Sequence, residues 1–391
     1  MNDSIWNKNF ICVLVVNFIM AAGFNAIIPT LPIYLKHQFG FSSSDIGLIL
    51  SCFPITALAV RPLTGYLLDN FNRYLVYLVS ILFMSLLFSA YVIPITVAGM
   101  VLVRLAHGAA WGGVSSAAAT VATDSIPTKK LGEGIGIFAL AMPLGMAIGP
   151  LAGSFIMTTF SADAMFHSAM AVSFMAFVLG FFNRKRYAGR PAKNGFSIKK
   201  VIFAKAIPVA SVMFLASLPY GAIMVFSGIF ALERKLGSIG IFFSCFAFAI
   251  LVSRLILGRM FDRGHAGRLI GGGLSLISIG LLLLGDSLSA LQFYSSALVL
   301  GFGYGTIMPT CQAMVNNMAL KRQRGAANST YLISLDLGIG GGIFLCGLLA
   351  EHFALGTVYN IMPVFLLLSA VVFFFWSSKI YEKNIVEDFG E

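Results

Sequence analysis

Twelve separate stretches of mainly apolar residues follow one another along this chain, and no other feature constrains its fold as strongly. Each is about 20 residues long, the length at which an α-helix crosses the hydrocarbon core of a bilayer. Apolar residues make up 58% of the 391 residues and charged residues only 10%. So few charges cannot cover the surface of a soluble protein of this size. The sequence therefore predicts an all-α integral membrane protein with twelve transmembrane helices.

Charges, Pro and Gly breaks and short polar loops set the limits of these stretches. The first is too long for the apolar core of a signal peptide, so we expect it to stay in the mature protein. The longest polar stretch separates six spans from six others. We predict an N-terminal six-helix bundle over 1–183, a cytoplasmic basic linker over 184–205 and a C-terminal six-helix bundle over 206–391. The predicted spans are 10–35, 44–68, 74–95, 97–122, 133–157, 164–183, 206–231, 238–259, 268–286, 289–316, 325–350 and 356–378.

Lys and Arg are distributed unevenly between the two sides of these spans. With the N-terminus inside, 20 of the 26 basic residues fall in cytoplasmic segments, three fall outside and three within spans. The positive-inside rule then predicts a multi-pass protein of the plasma membrane, in a bacterium the inner membrane, with both termini in the cytoplasm. Anionic headgroups account for the net charge of +11, so the predicted partner is the lipid bilayer and not nucleic acid.

The second span of each half contains an internal repeat. Seven identities at one constant offset of 193 residues are hard to obtain by chance, because they place an Arg, a Gly and an Asp in register. The halves are therefore predicted to be duplicated units, an architecture in which transporters move about a central site. The identical pairs are Ser51/Ser244, Cys52/Cys245, Phe53/Phe246, Leu58/Leu251, Arg61/Arg254, Gly65/Gly258 and Asp69/Asp262.

The loop after the second span combines Gly65, Asp69 and Arg73. Gly allows close helix contact, and a carboxylate at a helix end can hold a helix N-terminus or a basic side chain. These residues are predicted to form a gating loop, and an interfacial turn is the alternative. The second half repeats the Gly and the Asp as Gly258 and Asp262, and its basic residue is Arg263.

Two further patterns lie in spans four and five. Arg104 stands four residues before Gly108, and an Arg inside the bilayer is costly unless it is paired or hydrated. It either faces a central cavity or extends to the outer interface. In span five, small residues spaced four apart form a groove for a neighbouring helix, which a proline bends. That helix motif comprises Gly145, Gly149, Pro150 and Gly153.

In this order, the patterns resemble those of the major facilitator superfamily, and within it the twelve-span drug:proton antiporter-like efflux branch. The resemblance implies two six-helix bundles, a cavity lined by spans one, four, seven and ten, a loop clasp that stabilises the outward-facing state, and export. Pro29 and Pro32 match the family pattern at the outer end of span one. At the position where family members often carry a proton-binding acid, this chain has Asn25.

The cavity residues that we predict lie on those four spans, and their aromatic and Met content suits an adaptable apolar pocket. Of the 15 acids, only Asp336 lies well inside a predicted span. An intramembrane carboxylate is a functional candidate, so Asp336 is the predicted proton-coupling residue; a structural role is the alternative. The predicted cavity residues are Asn25, Arg104, Trp111, Tyr220, Phe226, Tyr304, Met308 and Gln312.

No other chemistry is indicated. The chain has no Gly-Lys dipeptide for a phosphate-binding loop and no H-E-x-x-H or G-x-S-x-G pattern. We therefore expect no enzyme, no cofactor and no metal site, with a proton gradient as the energy source. The main hypothesis is a monomeric, proton-coupled exporter of small apolar or amphiphilic molecules. A carrier for a polar metabolite, such as a sugar, metallophore or organic anion, is the second hypothesis, and a non-transporting receptor or scaffold is the third.

Overall fold

A computed structural model describes residues 4–93, 96–127, 130–182, 202–262, 264–320 and 323–385. This part of the chain is helical, and it contains twelve helical spans of membrane-crossing length and composition, which confirms the predicted fold class. The spans, α1 to α12, are Lys8–Phe39, Ser43–Asn70, Arg73–Val92, Val97–Ser125, Leu131–Thr159, Ala162–Gly180, Ala204–Glu233, Ile239–Ile256, Ala266–Gly285, Ala290–Asn317, Arg324–Leu349 and Leu355–Asn384. The helix of α8 continues to Asp262. Most of the predicted linker, 184–201, lies outside the described residues.

Polar side chains fix the beginnings of several helices. The Asn7 side chain accepts a hydrogen bond from the Phe10 N–H at 3.0 Å, and Ser161 accepts one from the Ala164 N–H at 3.0 Å. Each satisfies a backbone donor that the first turn of a helix cannot pair internally. In α1 the helix is interrupted after Ile27 and resumes at Leu31. Pro29 lies in this interruption, and a proline cannot donate the backbone hydrogen bond that a continuous helix needs there.

The described residues form two compact units. The first comprises the described parts of Met1–Phe41, Cys52–Phe196 and Ile239–Ser244, and the second those of Ser42–Ser51, Ser197–Ser238 and Cys245–Glu391. The first turns of α2 therefore belong to the second unit, and the first turns of α8 belong to the first. The predicted division into bundles 1–183 and 206–391 differs from these units at the two helix ends, Ser42–Ser51 and Ile239–Ser244.

Glycines allow close packing at both of these helix ends, the first turns of α2 and of α8. In the second unit Gly47 lies so close to Gly347 that a Cβ added at Gly47 would be 2.9 Å from the Gly347 Cα. In the first unit a Cβ added at Gly240 would be 2.8 Å from both the Leu151 Cα and the Ser154 Oγ. Gly47 and Gly240 are 193 residues apart, as are Ser154 and Gly347. The sequence repeat therefore extends to contacts.

The same offset relates the contacts of α5 with α1 to those of α11 with α7. Gly145 packs against the backbone at Ala21 in the first unit, and Gly338 packs against the backbone at Phe214 in the second. Both glycines and both partners are 193 residues apart. Gly149 and Gly342 are also 193 residues apart, and they pack against the backbones of α1 and α7 respectively. In each unit a helix with small residues lies directly on the backbone of its neighbour.

A third set of contacts joins α4 to α2 in the first unit and α10 to α8 in the second. Gly108 contacts the Phe53 carbonyl oxygen, and Gly301 contacts that of Phe246. Gly112 and Gly305 pack in the same way against Ala57 and Ile250. These contacts fix where the side chains of α4 and α10 project.

Candidate functional site

Arg104 is enclosed in the first unit. Its side chain is only 4% exposed, and its Nη1 donates a hydrogen bond to the Tyr91 hydroxyl at 3.1 Å. The guanidinium carbon lies 4.8 Å from the centre of the Phe53 ring, within the range of a cation–π interaction. A hydroxyl and an aromatic face therefore replace part of the hydration that the cation loses.

The Tyr91 hydroxyl also joins Arg104 to His107. It lies 2.7 Å from the His107 Nδ1, and both side chains are completely buried. The His107 Nε2 is buried, and no hydrogen-bond partner for it occurs among the described residues. Sequence analysis did not identify Tyr91, which lies at the end of α3 and on a different span from Arg104. We refer to Arg104, Tyr91 and His107 as the α4 cluster.

Three aromatic rings are stacked beside this cluster. The Phe24 ring of α1 stacks on Phe53 of α2 at 4.9 Å and on Trp111 of α4 at 4.3 Å between ring centres. Trp111 is partly exposed. Asn25 is buried and uses its amide to donate to the Ala21 carbonyl at 2.8 Å. Of the predicted cavity residues in this unit, Trp111 is thus the one with exposed surface.

The predicted cavity residues of the second unit fall into two groups. Tyr304 and Phe226 are fully enclosed, and the Tyr304 hydroxyl donates to the Ala216 carbonyl at 3.1 Å. Tyr220, Met308 and Gln312 are partly exposed. The Tyr220 ring meets Tyr304 edge to face at 4.9 Å. The Gln312 amide donates to the Asn328 side chain at 2.8 Å.

Asp336 lies on α11 and is 8% exposed. It interacts electrostatically with Tyr331, which lies on the same helix. The Tyr331 hydroxyl donates a hydrogen bond to the Met308 carbonyl at 3.0 Å. The glycines that follow Asp336 in the sequence are small enough to leave room for water or a moving helix. The backbone of α7 instead occupies the space beside Gly338 and Gly342. Asp336 therefore lies on a helix that is tightly packed on one side.

Arg254 of α8 also lies within this unit. It is partly buried, and it interacts electrostatically with Tyr220 of α7 and Tyr331 of α11. Its Nε is buried and has no hydrogen-bond partner in the described part of the chain. In the sequence Arg254 lies one helical turn before Gly258 of the gating loop, a position that suits a structural cation or, alternatively, a substrate ligand. The structure places it beside one of the predicted cavity residues, Tyr220.

The gating loop of the first unit depends on an acid that sequence analysis missed. Arg73 donates from Nη1 to both carboxylate oxygens of Asp124, at 2.8 and 3.0 Å. Its Nη2 is 4.0 Å from Asp69, which is largely exposed, and a Cβ at Gly65 would face open space. The principal ion pair of Arg73 is therefore with the end of α4. In the second half, the Asp262 side chain and the whole of Arg263 lie outside the described residues, and so does the packing around Gly258.

The small-residue motif of α5 is a packing surface. Gly145, Gly149 and Gly153 are all buried against the backbone of α1, and Pro150 is buried within the helix. This agrees with the physical interpretation of the motif as a groove for a neighbouring helix. Within the described ranges, no group of three or more His, Cys, Asp or Glu side chains could hold a metal ion.

Known proteins with similar sequences are membrane transporters. The sequence profile of the Major Facilitator Superfamily matches residues 13–232 and 209–389. The staphylopine export protein of Staphylococcus aureus is 22% identical over 371 residues, covering 90% of this chain and 91% of that protein. The multi-drug resistance efflux pump PmrA of Streptococcus pneumoniae is 23% identical over 346 residues, covering 82% and 84%.

The fold agrees with these similarities. The crystal structure of a bacterial homolog of the human lysosomal transporter Spinster, in an inward-facing and unoccupied conformation, superimposes with a TM-score of 0.80. The sequences are 13% identical, and the match covers 97% of this chain and 98% of that one. The family profile, the twelve spans and the relatives together confirm a transporter and not an enzyme. This chain belongs to the Major Facilitator Superfamily.

Proposed function

We propose that this protein is a proton-coupled exporter of small, largely apolar or amphiphilic molecules. The observation that carries the proposal is that each unit presents partly exposed aromatic surface on the spans predicted to line the cavity. In the first unit this surface is Trp111, stacked on Phe24. In the second it is Tyr220, which contacts Tyr304. Aromatic surfaces bind apolar molecules of different shapes without many specific hydrogen bonds. Similarity to a multi-drug efflux pump supports the same substrate class.

Transport proceeds in this proposal by alternating access of the two units, in a monomer with both termini in the cytoplasm. The proton is carried by Asp336, because it is the acid that lies in the middle of a span and is buried there. The amide of Asn25 cannot take up a proton in its place, and it already donates to a carbonyl of its own helix.

The second candidate is a carrier for a polar metabolite, and two observations favour it. The α4 cluster brings together a guanidinium, a hydroxyl and an imidazole, which suit a polar substrate better than an apolar one. A similar protein exports staphylopine. The two candidates differ in the substrates that they would accept.

Transport by the purified protein in lipid vesicles distinguishes them. With an imposed pH gradient and a panel of aromatic dyes, sugars and organic anions, the main proposal predicts accumulation of several unrelated amphiphilic compounds. Transport of one polar compound alone would favour the second candidate. Equal transport with and without the gradient would contradict proton coupling.

Replacing Asp336 by Asn tests the proton carrier. The substitution keeps size and polarity but removes the titrating group, so pH-driven accumulation should fall to the level of empty vesicles. Substrate exchange without a gradient should continue, because it needs no net proton movement. Asp163→Asn, which alters an exposed carboxylate at the start of α6, is the matched control and should leave accumulation unchanged. If the Asp336 variant still accumulates substrate with a pH difference, another group carries the proton.

A further inference from the structure

Arg254 is a cation within a membrane span, and no ion pair of its side chain occurs among the described residues. Its Nε is buried without a hydrogen-bond partner within the described ranges. A cation within a membrane span is costly unless a carboxylate or several acceptors compensate it. Arg104 differs, because its guanidinium donates to Tyr91 and lies over Phe53. The Arg104 Nε is also buried without a partner, but Arg104 has the Tyr91 hydrogen bond, whereas no hydrogen bond of Arg254 occurs among the described residues.

The surroundings of Arg254 combine tyrosine side chains with apolar surface. Tyr220 of α7 and Tyr331 of α11 are close enough to interact electrostatically with the guanidinium. The Tyr331 hydroxyl proton is committed to the Met308 carbonyl. Tyr220 is partly exposed, and its ring lies 4.9 Å from Tyr304 and 6.1 Å from Phe246. A positive charge thus lies within electrostatic range of a partly exposed aromatic surface.

We propose that Arg254 is the anion-binding residue of a substrate subsite in the second unit. The ligand is an amphiphilic organic acid: its carboxylate pairs with the guanidinium, and its apolar body lies against Tyr220. The planar guanidinium can present two parallel N–H groups to a carboxylate, a geometry that a lysine cannot reproduce. The substrate carboxylate then supplies an ion-pair partner, which Arg254 does not have among the described residues. This inference rests on the proposed function, because it specifies which amphiphilic molecules are preferred.

Three probes that share a naphthylmethyl group and differ in the charge of its polar substituent test the subsite. They are 1-naphthylacetate, which is an anion, 1-naphthylacetamide, which is neutral, and 1-naphthylmethylamine, which is a cation. Binding to the purified full-length protein is measured calorimetrically at millimolar probe concentrations. We expect the wild-type protein to bind the acetate most tightly. Arg254→Gln should weaken acetate binding by about tenfold or more and leave amide binding unchanged, because a charge-assisted hydrogen bond is lost.

Two further variants keep the result interpretable. Arg254→Lys retains the charge and should keep part of the preference for the acetate, which also provides a folded comparison if the Gln variant is unstable. Arg268→Gln removes an exposed charge from α9 of the same unit and should bind all three probes like the wild type. Loss of acetate binding in this control would show a general effect of net charge and overturn the assignment to Arg254.

The proposal is wrong if Arg254→Gln binds the acetate as the wild type does. It is equally wrong if the wild-type protein binds the acetate no better than the amide or the amine. Vesicle transport separates this result from the proposed function. If the acetate binds through Arg254 but no compound of the panel is accumulated, export is contradicted and the subsite stands. If compounds are exported but none of the three probes depends on Arg254, the subsite is contradicted and export stands.

Discussion

Gly108 of α4 and Gly301 of α10 occupy equivalent positions in the two halves and make equivalent contacts with the backbone of a neighbouring helix. Four residues earlier, however, the first half has Arg104 and the second has Ala297. The same is true of α5 and α11: Gly145 and Gly338 correspond, but the position equivalent to Asp336 is Pro143. The halves repeat their glycine contacts and differ at Arg104 and Asp336, the two charged residues among those described that are almost fully buried.

This difference separates two kinds of residue. A glycine at a helix crossing determines how closely two backbones approach, so it is needed in both halves of a repeated fold. A buried charge costs free energy in either half, so it is retained where it has a specific role. The comparison predicts that the unique charges affect transport most and that equivalent glycines affect stability equally.

The largest effect is expected at Arg104. Arg104→Ala should abolish transport and also lower the melting temperature, because it leaves the Tyr91–His107 pair buried without its cation, at about 1–3 kcal/mol for each unsatisfied group. Arg104→Lys should restore little, since the planar donor group is lost. Tyr91→Phe removes only the hydroxyl and should have an intermediate effect. Wild-type transport in Arg104→Ala would show that the α4 cluster is a structural feature. It would contradict the prediction that the unique buried charges affect transport most.

An intermediate effect, equal in both halves, is expected for the glycine pair Gly149 and Gly342. An added methyl group would collide with the backbone of α1 in one variant and of α7 in the other. Each Ala variant should therefore lose about 1–3 kcal/mol of stability, the usual cost of overpacking. Gly65→Ala, where the methyl group would face open space, is the control and should melt like the wild type. If only one of the pair is destabilised, the repeated contacts are not energetically equivalent.

The smallest effect concerns Glu351, whose equivalent in the first half is Thr158. The Glu351 Oε1 accepts a hydrogen bond from the Ser44 N–H at 2.7 Å, which lowers the pKa of this exposed carboxyl group. A lowered pKa means that its stabilising contribution is present at neutral pH and is lost as the pH falls through the folded-state value.

The difference in melting temperature between the wild type and Glu351→Gln should accordingly stay nearly constant from pH 7 to about pH 5 and shrink as the pH falls from about 5 to about 3. Thr158→Val, which alters the equivalent position, should give a difference that does not depend on pH. A gap for Glu351→Gln that stays constant over this range would rule out the ionised Glu351–Ser44 contact.

The spans, their number and the repeat could be predicted because apolar length and identical residues at a fixed offset can be read directly from the sequence. The partners of the buried charges could not be predicted in this way. Tyr91 and Arg104 lie on different spans, and nothing in the residues around Tyr91 indicates which helix its hydroxyl faces. In the sequence nothing distinguishes Asp124 from other acids at helix ends. The structure shows that Arg73, 51 residues away in sequence, pairs with it.

The glycines after Asp336 show a different limit. A run of small residues is compatible with open space, with water or with a closely packed helix, and sequence alone does not choose among them. The contacts of Gly338 with α7 decide the question for that residue. The sequence already shows that Gly338 and Gly342 follow Gly145 and Gly149 by 193 residues. Because the chain has 40 glycines, these two matches are not informative without the contacts.

Each repeated glycine contact has an implication for ancestry. Gly108 and its partner Phe53 lie in one half, and Gly301 and Phe246 lie in the other, so duplication of an ancestral six-helix segment would have copied both sides of the contact in a single event. The two copies could pack at once without further substitutions. Arg104 and Asp336 interrupt this inheritance, since neither has a charged counterpart. The two halves of the gene therefore share the descent of their packing but followed separate histories at these two buried ionisable positions.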